Sequence, residues 1–148
     1  MNHSRKAGRF FSMRATPQTF RKQERLCSRK TIEELFSNGK SFNCQPFQVI
    51  WNFANDNLPA PAQVAISIPK KTFRSAVLRN RIRRKIREAY RRQKQNLYNH
   101  LQGSQRKIVF MIILKGIDEP DYDEIFHATG RVISRLSGQI NTADSQPC

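Results

Sequence analysis

Twelve arginines and lysines crowd the stretch from Lys70 to Lys94, where Glu88 is the only acid. Arginine stays charged at any physiological pH and presents planar donors that match phosphate oxygens in pairs. If the stretch is helical, Asn80, Arg83, Arg84, Arg87, Arg91 and Lys94 share one side. Repeated at turns of ~5.4 Å, such a side can follow a nucleic-acid backbone. Arg81 flanks this side, and Arg79 lies toward the edge of the apolar stripe. On spacing alone, Asn80 suits a local cap and Arg79 a structural ion pair as well as either suits contact with RNA. A merely solvated helix would mix signs to limit i,i+4 repulsion, whereas here Glu88 alone is placed to relieve it, bridging Arg84 and Arg92. Lys70 and Lys71 extend the positive surface or simply protect a strand end.

Hydrolytic chemistry is harder to find. Cleaving a phosphodiester needs positioned metal ions or an acid–base pair, and His3, His100 and His127 are scattered. Asp118, Glu119, Asp121, Asp123 and Glu124 are dense enough to imitate a metal site, but they fall where a helix should start and carboxylates stabilise its dipole. The expectation is no catalytic side chain and no metal site in this chain. Cys27, Cys44 and Cys148 lack short metal-binding spacing, and their odd number argues against a closed disulfide framework.

Several elements must position the basic stretch. Ser75 can cap a long helix to about Leu101, with Leu78, Ile82, Ile86, Ala89, Tyr90 and Leu97 as its packing stripe and Gly103 and Ser104 just past its end. A short helix from Thr31 puts Ile32 and Phe36 on one face and stops at Gly39. Residues 46–54 alternate, with Phe47, Val49, Trp51 and Phe53 opposite Gln48, Ile50 and Asn52. Val64, Ile66 and Ile68 alternate in a second run, and the two runs read as antiparallel strands. A third short strand fits around Ser41 to Cys44. The unbroken run from Ile108 to Leu114 suits a central strand covered on both faces and parallel to 63–68. Asp118 or Asp121 can cap a last helix with Tyr122, Phe126, Thr129, Ile133, Leu136 and Ile140 on one stripe, closed by Gly138 and a polar tail.

At 148 residues the chain has room for one ordinary domain. Its net charge of +16 is confined: +8 over 1–30, −2 over 31–69, +11 over 70–94 and −1 over 95–148. Such an excess is best tolerated when a polyanion neutralises it. We divide the chain into a flexible basic arm at 1–18, an RNA-binding domain at 19–140 and a disordered tail at 141–148. No apolar run is long enough to span a membrane, and the N-terminus lacks the features of a secretory signal, so the cytoplasm is expected.

The run Ser67-Ile68-Pro69-Lys70-Lys71, followed by Ala76-Val77-Leu78-Arg79-Asn80-Arg81-Ile82-Arg83-Arg84-Lys85-Ile86-Arg87-Glu88-Ala89-Tyr90, resembles the signature of the bacterial ribonuclease P protein subunit. The likeness extends to Phe20, Glu24-Arg25-Leu26, the short helix with Phe36, Gly39-Lys40-Ser41 and the strand at 108–114, over roughly residues 20–138. It implies an α+β fold, an αβββαβα two-layer sandwich with a small mixed sheet, in which the long basic helix makes a left-handed crossover between parallel strands, an exception to the usual hand. It also implies assembly with a catalytic RNA, ribonuclease P RNA, and hydrolytic removal of the 5′ leader of precursor tRNA, with Mg²⁺ held mainly by the RNA. No obligate protein partner is evident.

By position, the resemblance assigns Arg79, Asn80, Arg81, Arg83, Arg84, Arg87 and Arg91 to the ribozyme. It assigns Phe36, Ile50, Ser67, Lys70 and Lys71 to a cleft for the single-stranded leader. Ile32 stands where the family often has an aromatic, and Pro69 replaces a small residue, removing one backbone donor. Phe36 suits either a core anchor or a stacking platform. The competing reading is a ribosomal-type structural RNA binder without a role in catalysis. A protein-only nuclease would cleave unaided, and a DNA-reading helix is disfavoured because so many exposed arginines suit backbone tracking.

Overall fold

A computed structural model describes residues 19–54 and 57–145 of the chain. The arm assigned to 1–18 and the last tail residues, 146–148, lie outside the described residues. The elements follow as α1 (Arg29–Asn38), β1 (Lys40–Cys44), β2 (Phe47–Phe53), β3 (Ala62–Ser67), α2 (Ala76–Ser104), β4 (Ile108–Leu114) and α3 (Tyr122–Ser145), with a single 3₁₀ turn at Lys22–Glu24 before them. This is the expected αβββαβα order.

The sheet runs β1-β2-β4-β3. β1 and β4 each pair antiparallel with β2, and β3 pairs parallel with β4. β2 and β3 therefore run in opposite directions, as expected, with β4 between them. β4 is the one strand with an almost continuous apolar sequence. It buries more surface at the centre than an alternating strand would, while β2 and β3 carry polar residues on one face.

Alternation divides the core between two faces. Phe47, Val49, Trp51, Val64, Ile108, Phe110, Ile112 and Leu114 point to the side covered by α2 and α3. Each fully buried Leu or Ile there contributes about 1.5–3 kcal/mol relative to exposure. Trp51 is fully buried, and its indole N–H donates to Gln139 Oε1 at 2.6 Å, so its polar edge is satisfied. On the other face Ile50, Val109 and Met111 pack with Leu26 and with Leu35 of α1. Ile113 and Ala65 are only partly covered there.

Ser28 caps α1 by accepting from Thr31 N–H, so the helix starts two residues before the expected Thr31. Gly39 ends it. A Cβ at Gly39 would lie 2.4 Å from the Leu35 carbonyl oxygen and 2.7 Å from Ile50 Cγ2, so only glycine lets the chain turn this tightly over β2. Ser75 caps α2 as expected, accepting from Leu78 N–H. α2 runs through Gly103 and ends instead at Gln105, which is left-handed (φ 57°), with Arg106 N–H donating to the Leu101 carbonyl. α3 begins after Asp121, whose carboxylate accepts from Glu124 N–H. It also passes through Gly138, reaching Ser145 inside the segment read as a disordered tail. Both glycines have open space around a would-be Cβ, so nothing there forces a break.

Candidate nucleic-acid interface

α2 buries Ile82, Ile86, Ala89, Tyr90 and Leu97 against the sheet and α3. The packing stripe is the one expected, and it turns the arginines outward. The structure then sorts those arginines into groups with different uses.

Arg79 Nη1 donates to the carbonyls of Phe73 and Arg74 at 2.8 and 2.9 Å. It tethers the loop that enters α2, a structural role filled through main-chain carbonyls rather than through the ion pair the spacing suggested. Arg81 makes a two-pronged pair with Glu119, both contacts at 2.8 Å, and Lys85 reaches the same carboxylate at 2.9 Å and the Pro120 carbonyl at 3.3 Å. The hydrogen bond from Arg81, then that from Lys85, pushes the Glu119 carboxyl down to about 2. The cluster read as a helix-start decoy is thus divided: Asp121 caps α3 and Glu119 clasps α2.

Glu88 does not bridge Arg84 and Arg92. It pairs with Arg91 at 2.6 and 3.0 Å, a one-turn i,i+3 contact that a short glutamate reaches more directly. Arg92 lies instead over the Phe126 ring and near the Tyr122 hydroxyl.

Lys94 is the clearest departure from the helical wheel. The sequence placed it among the outward cations, but its side chain is 5 % exposed. It donates to Glu24 and to the Thr19 carbonyl, and Tyr98 donates to the same Glu24 carboxylate. Residues 19–26 lie over this part of α2 as a strap, which a wheel drawn for the helix alone does not contain. Burial raises the Glu24 pKa, but the hydrogen bonds from Lys94, Tyr98 and Arg21 N–H outweigh it, and the carboxyl titrates below its ordinary value.

Of the outward residues expected on α2, Asn80, Arg83, Arg84 and Arg87 stand apart from these acid pairs, while Arg81 and Arg92 are exposed as well. Asn80 Oδ1 accepts from Arg83 at 3.0 Å, so the asparagine orients a guanidinium. Arg84 is exposed. Arg87 is half-buried, and burial together with the charges of Arg25 and Arg83 lowers its proton affinity. Arg25 thus joins the basic helix from the strap. Nothing in the local sequence assigns Arg25 this place, because proximity across the fold leaves no spacing signal.

The residues assigned to a leader cleft are distributed around the sheet face that α1 partly covers. Phe36 is 59 % exposed, whereas its neighbour Leu35 is the buried anchor of α1. The core-anchor alternative for Phe36 therefore gives way to an aromatic ring presented to solvent. Ile50 is 9 % exposed and lies beneath the end of α1, in the floor of that face. Ser67, paired in register with Ile113, is half-buried, and Lys70 and Lys71 are exposed beyond the end of β3. An exposed ring, an apolar floor and nearby main-chain exits suit an unpaired strand, whose bases stack and whose phosphates seek cations.

Comparison with known proteins bears on the family and the fold. A family model described as Ribonuclease P matches residues 20–137. The ribonuclease P protein component of Porphyromonas gingivalis (strain ATCC 33277) is 35% identical over 129 residues, 84% of this chain and 93% of that protein. That of Vibrio cholerae (strain O395) is 30% identical over 118 residues, 80% and 92% respectively. Among solved structures, the Staphylococcus aureus RNase P protein superposes with a TM-score of 0.61 at 21% identity, covering 76% of this chain and 94% of that one. The Thermotoga maritima RNase P protein gives the same TM-score and identity, with 76% and 96% covered.

Proposed function

This chain belongs to the ribonuclease P protein family, and from that premise we propose a division of labour across its surface. It acts in tRNA processing as the protein subunit of ribonuclease P, a ribonucleoprotein, and so has an RNA partner. In our reading that partner is the catalytic RNA, docked on the open side of α2 by Asn80, Arg83, Arg84 and Arg87. The 5′ leader of precursor tRNA then lies across the α1 side of the sheet, with Phe36 stacking on a base and Lys70 and Lys71 meeting phosphates. The observation that carries this reading is the exposed ring of Phe36, on a helix whose other apolar residue at that level, Leu35, is fully buried.

Hydrolysis is assigned to the RNA with its Mg²⁺. Two of the carboxylates dense enough to imitate an ion site are committed elsewhere: Glu119 to Arg81 and Lys85, and Asp121 to the first turn of α3. The protein's contribution is electrostatic and positional. Its guanidiniums screen phosphate repulsion between two RNAs, and its cleft holds the leader so that the scissile bond is presented in one register. Among the described residues no helix is long and apolar enough to cross a membrane, and we place the work in the cytoplasm, where tRNA matures.

The test is reconstitution. Added to a bacterial ribonuclease P RNA at low Mg²⁺, the protein restores leader removal from precursor tRNA. A protein that binds the RNA but leaves cleavage unchanged would favour a ribosomal-type structural role, and cleavage by the protein alone would overturn the assignment of chemistry to RNA.

A further inference from the structure

At the end of the sheet away from Lys70 and Lys71, the α1 face holds a pocket that neither the basic helix nor Phe36 uses. Its volume is about 270 Å³, and Thr31, Glu34 and Leu35 of α1, Asn52 of β2, Leu58 and Val109 of β4 line it. Leu35 and Val109 are buried and form the floor. Asn52 pairs in register with Val109, four residues along β4 from Ile113, the partner of Ser67. At ~3.3 Å per residue that is roughly 13 Å from the Ser67 end. On α1, Glu34 and Phe36 lie about 100° to either side of Leu35, so the pocket and the exposed ring occupy opposite flanks of the helix.

The lining is at odds with the rest of the chain. The protein carries a net charge of +16, yet no basic side chain lines this pocket. Glu34 is exposed, and among the described residues it has no hydrogen-bond or ion-pair partner. Asn52 Oδ1 accepts from Phe53 N–H at 2.9 Å, which leaves its amide nitrogen as a donor. Thr31 adds a hydroxyl. The outer wall is tied down, because Lys107 Nζ donates to the Leu58 carbonyl at 2.7 Å and the Lys107 carbonyl accepts from Ala54 N–H at 2.8 Å.

Such a lining repels phosphate. It suits a flat group whose edge offers two adjacent donors to the carboxylate and an acceptor to the amide. Among the RNA bases guanine alone has that edge, with N1–H and the N2 amino group side by side and O6 next to them. Uracil sets one N–H between two carbonyls, and adenine and cytosine place a ring acceptor beside their amino group. Each of these three turns a lone pair toward Glu34.

We infer that this pocket is a guanine subsite for unpaired RNA. Glu34 accepts from N1–H and the N2 amino group, Asn52 donates to O6, and the base lies against Leu35, Leu58 and Val109. The inference rests on the subunit assignment above and deepens it. Stacking at Phe36 and phosphate contacts carry little sequence information, and Glu34 supplies one position of base choice.

The test uses the enzyme assembled on ribonuclease P RNA. Precursor tRNAs carry an all-uridine leader into which a single guanosine is moved one position at a time. Inosine, which lacks the N2 amino group, then replaces guanosine at the preferred position. A bidentate base contact discriminates by about 5- to 150-fold, so one register should bind tighter than the all-uridine leader by that factor. Inosine should lose most of the gain. Glu34→Gln should lose the preference while melting with the parent, and Glu33→Gln, an exposed carboxylate outside the pocket, should keep it.

A second arm detects a guanine supplied by the ribozyme. Removing a carboxylate from so basic a protein strengthens RNA binding on charge alone. Glu34→Gln binding ribonuclease P RNA more weakly than the parent, with no leader register preferred, assigns the guanine to the ribozyme. No preferred register together with Glu34→Gln binding that RNA at least as tightly as the parent overturns the subsite. If the parent restores cleavage at low Mg²⁺ in that case, the subunit assignment stands without it.

Discussion

Replacing Lys94 separates a structural cation from the RNA-facing ones on the same helix. Lys94 and Glu24 are 5 % and 7 % exposed, and Tyr98 and Arg21 N–H share the carboxylate. Lys94→Met keeps the length of the apolar stem but leaves Glu24 charged in a buried site. Breaking such a pair from one side costs about 3–5 kcal/mol, most of it from the stranded charge. For a domain of this size, each kcal/mol moves the thermal midpoint by roughly 3–5 °C, so Lys94→Met should lower Tm by about 10–20 °C.

In a Glu24→Gln background, which keeps an acceptor for Tyr98 and removes the stranded charge, the same substitution should cost far less. That difference is the coupling energy, read from urea or thermal melts of the four proteins. The pH dependence follows from the lowered pKa of Glu24. The stabilisation is present above its unfolded value near 4.5 and disappears as pH falls through the lower folded value, so the melts of parent and Glu24→Gln should converge in acid. A Lys94→Met protein that melts within about 2 °C of the parent, yet loses RNA affinity as an exposed arginine variant does, would refute the buried-pair argument.

Other substitutions divide along the same lines. Arg84→Ala, at an exposed position, should leave Tm nearly unchanged while lowering the salt slope for ribonuclease P RNA by roughly 0.7–0.9, measured by filter binding at several salt concentrations. Phe36→Ala should melt like the parent but weaken holoenzyme binding of precursor tRNA by about 5- to 150-fold when the leader is long, from loss of about 1–3 kcal/mol of stacking. The same variant should have little effect when the leader is one or two nucleotides. Gly39→Ala should destabilise the fold by about 1–3 kcal/mol, because the added methyl meets the Leu35 carbonyl and Ile50 and must displace α1 from β2. Urea denaturation checks it, and a neutral result would mean that α1 shifts freely.

Local pattern was enough for much of this protein. The period of two in β2, the 3-4 stripe of α2, the serine cap at Ser75 and the apolar run of β4 each report burial along one element, and each element formed where that pattern lay. The parallel pairing of β3 and β4 and the basic character of α2 were legible for the same reason, and an ordered arginine-rich signature led to the family. Helix ends were less legible. Gly103 and Gly138 permit a break but do not compel one when neither packing nor a following proline opposes the next turn.

What the sequence could not decide is which arginine does what. Arg79, Arg81, Arg84 and Arg87 carry the same charge on the same helix, and Lys94 sits on the same side of the wheel as Arg87. Arg79 meets the nearby Phe73 and Arg74 carbonyls, but the other uses diverge because of groups brought from elsewhere: Glu119 on the loop before α3, and Glu24 and Arg25 on the N-terminal strap. Charge is a property of the residue and can be read in sequence. Its partner, and with it the choice between an internal ion pair and an open site for phosphate, depends on distances of a few ångströms across 38 to 70 residues of chain, which only the folded structure sets.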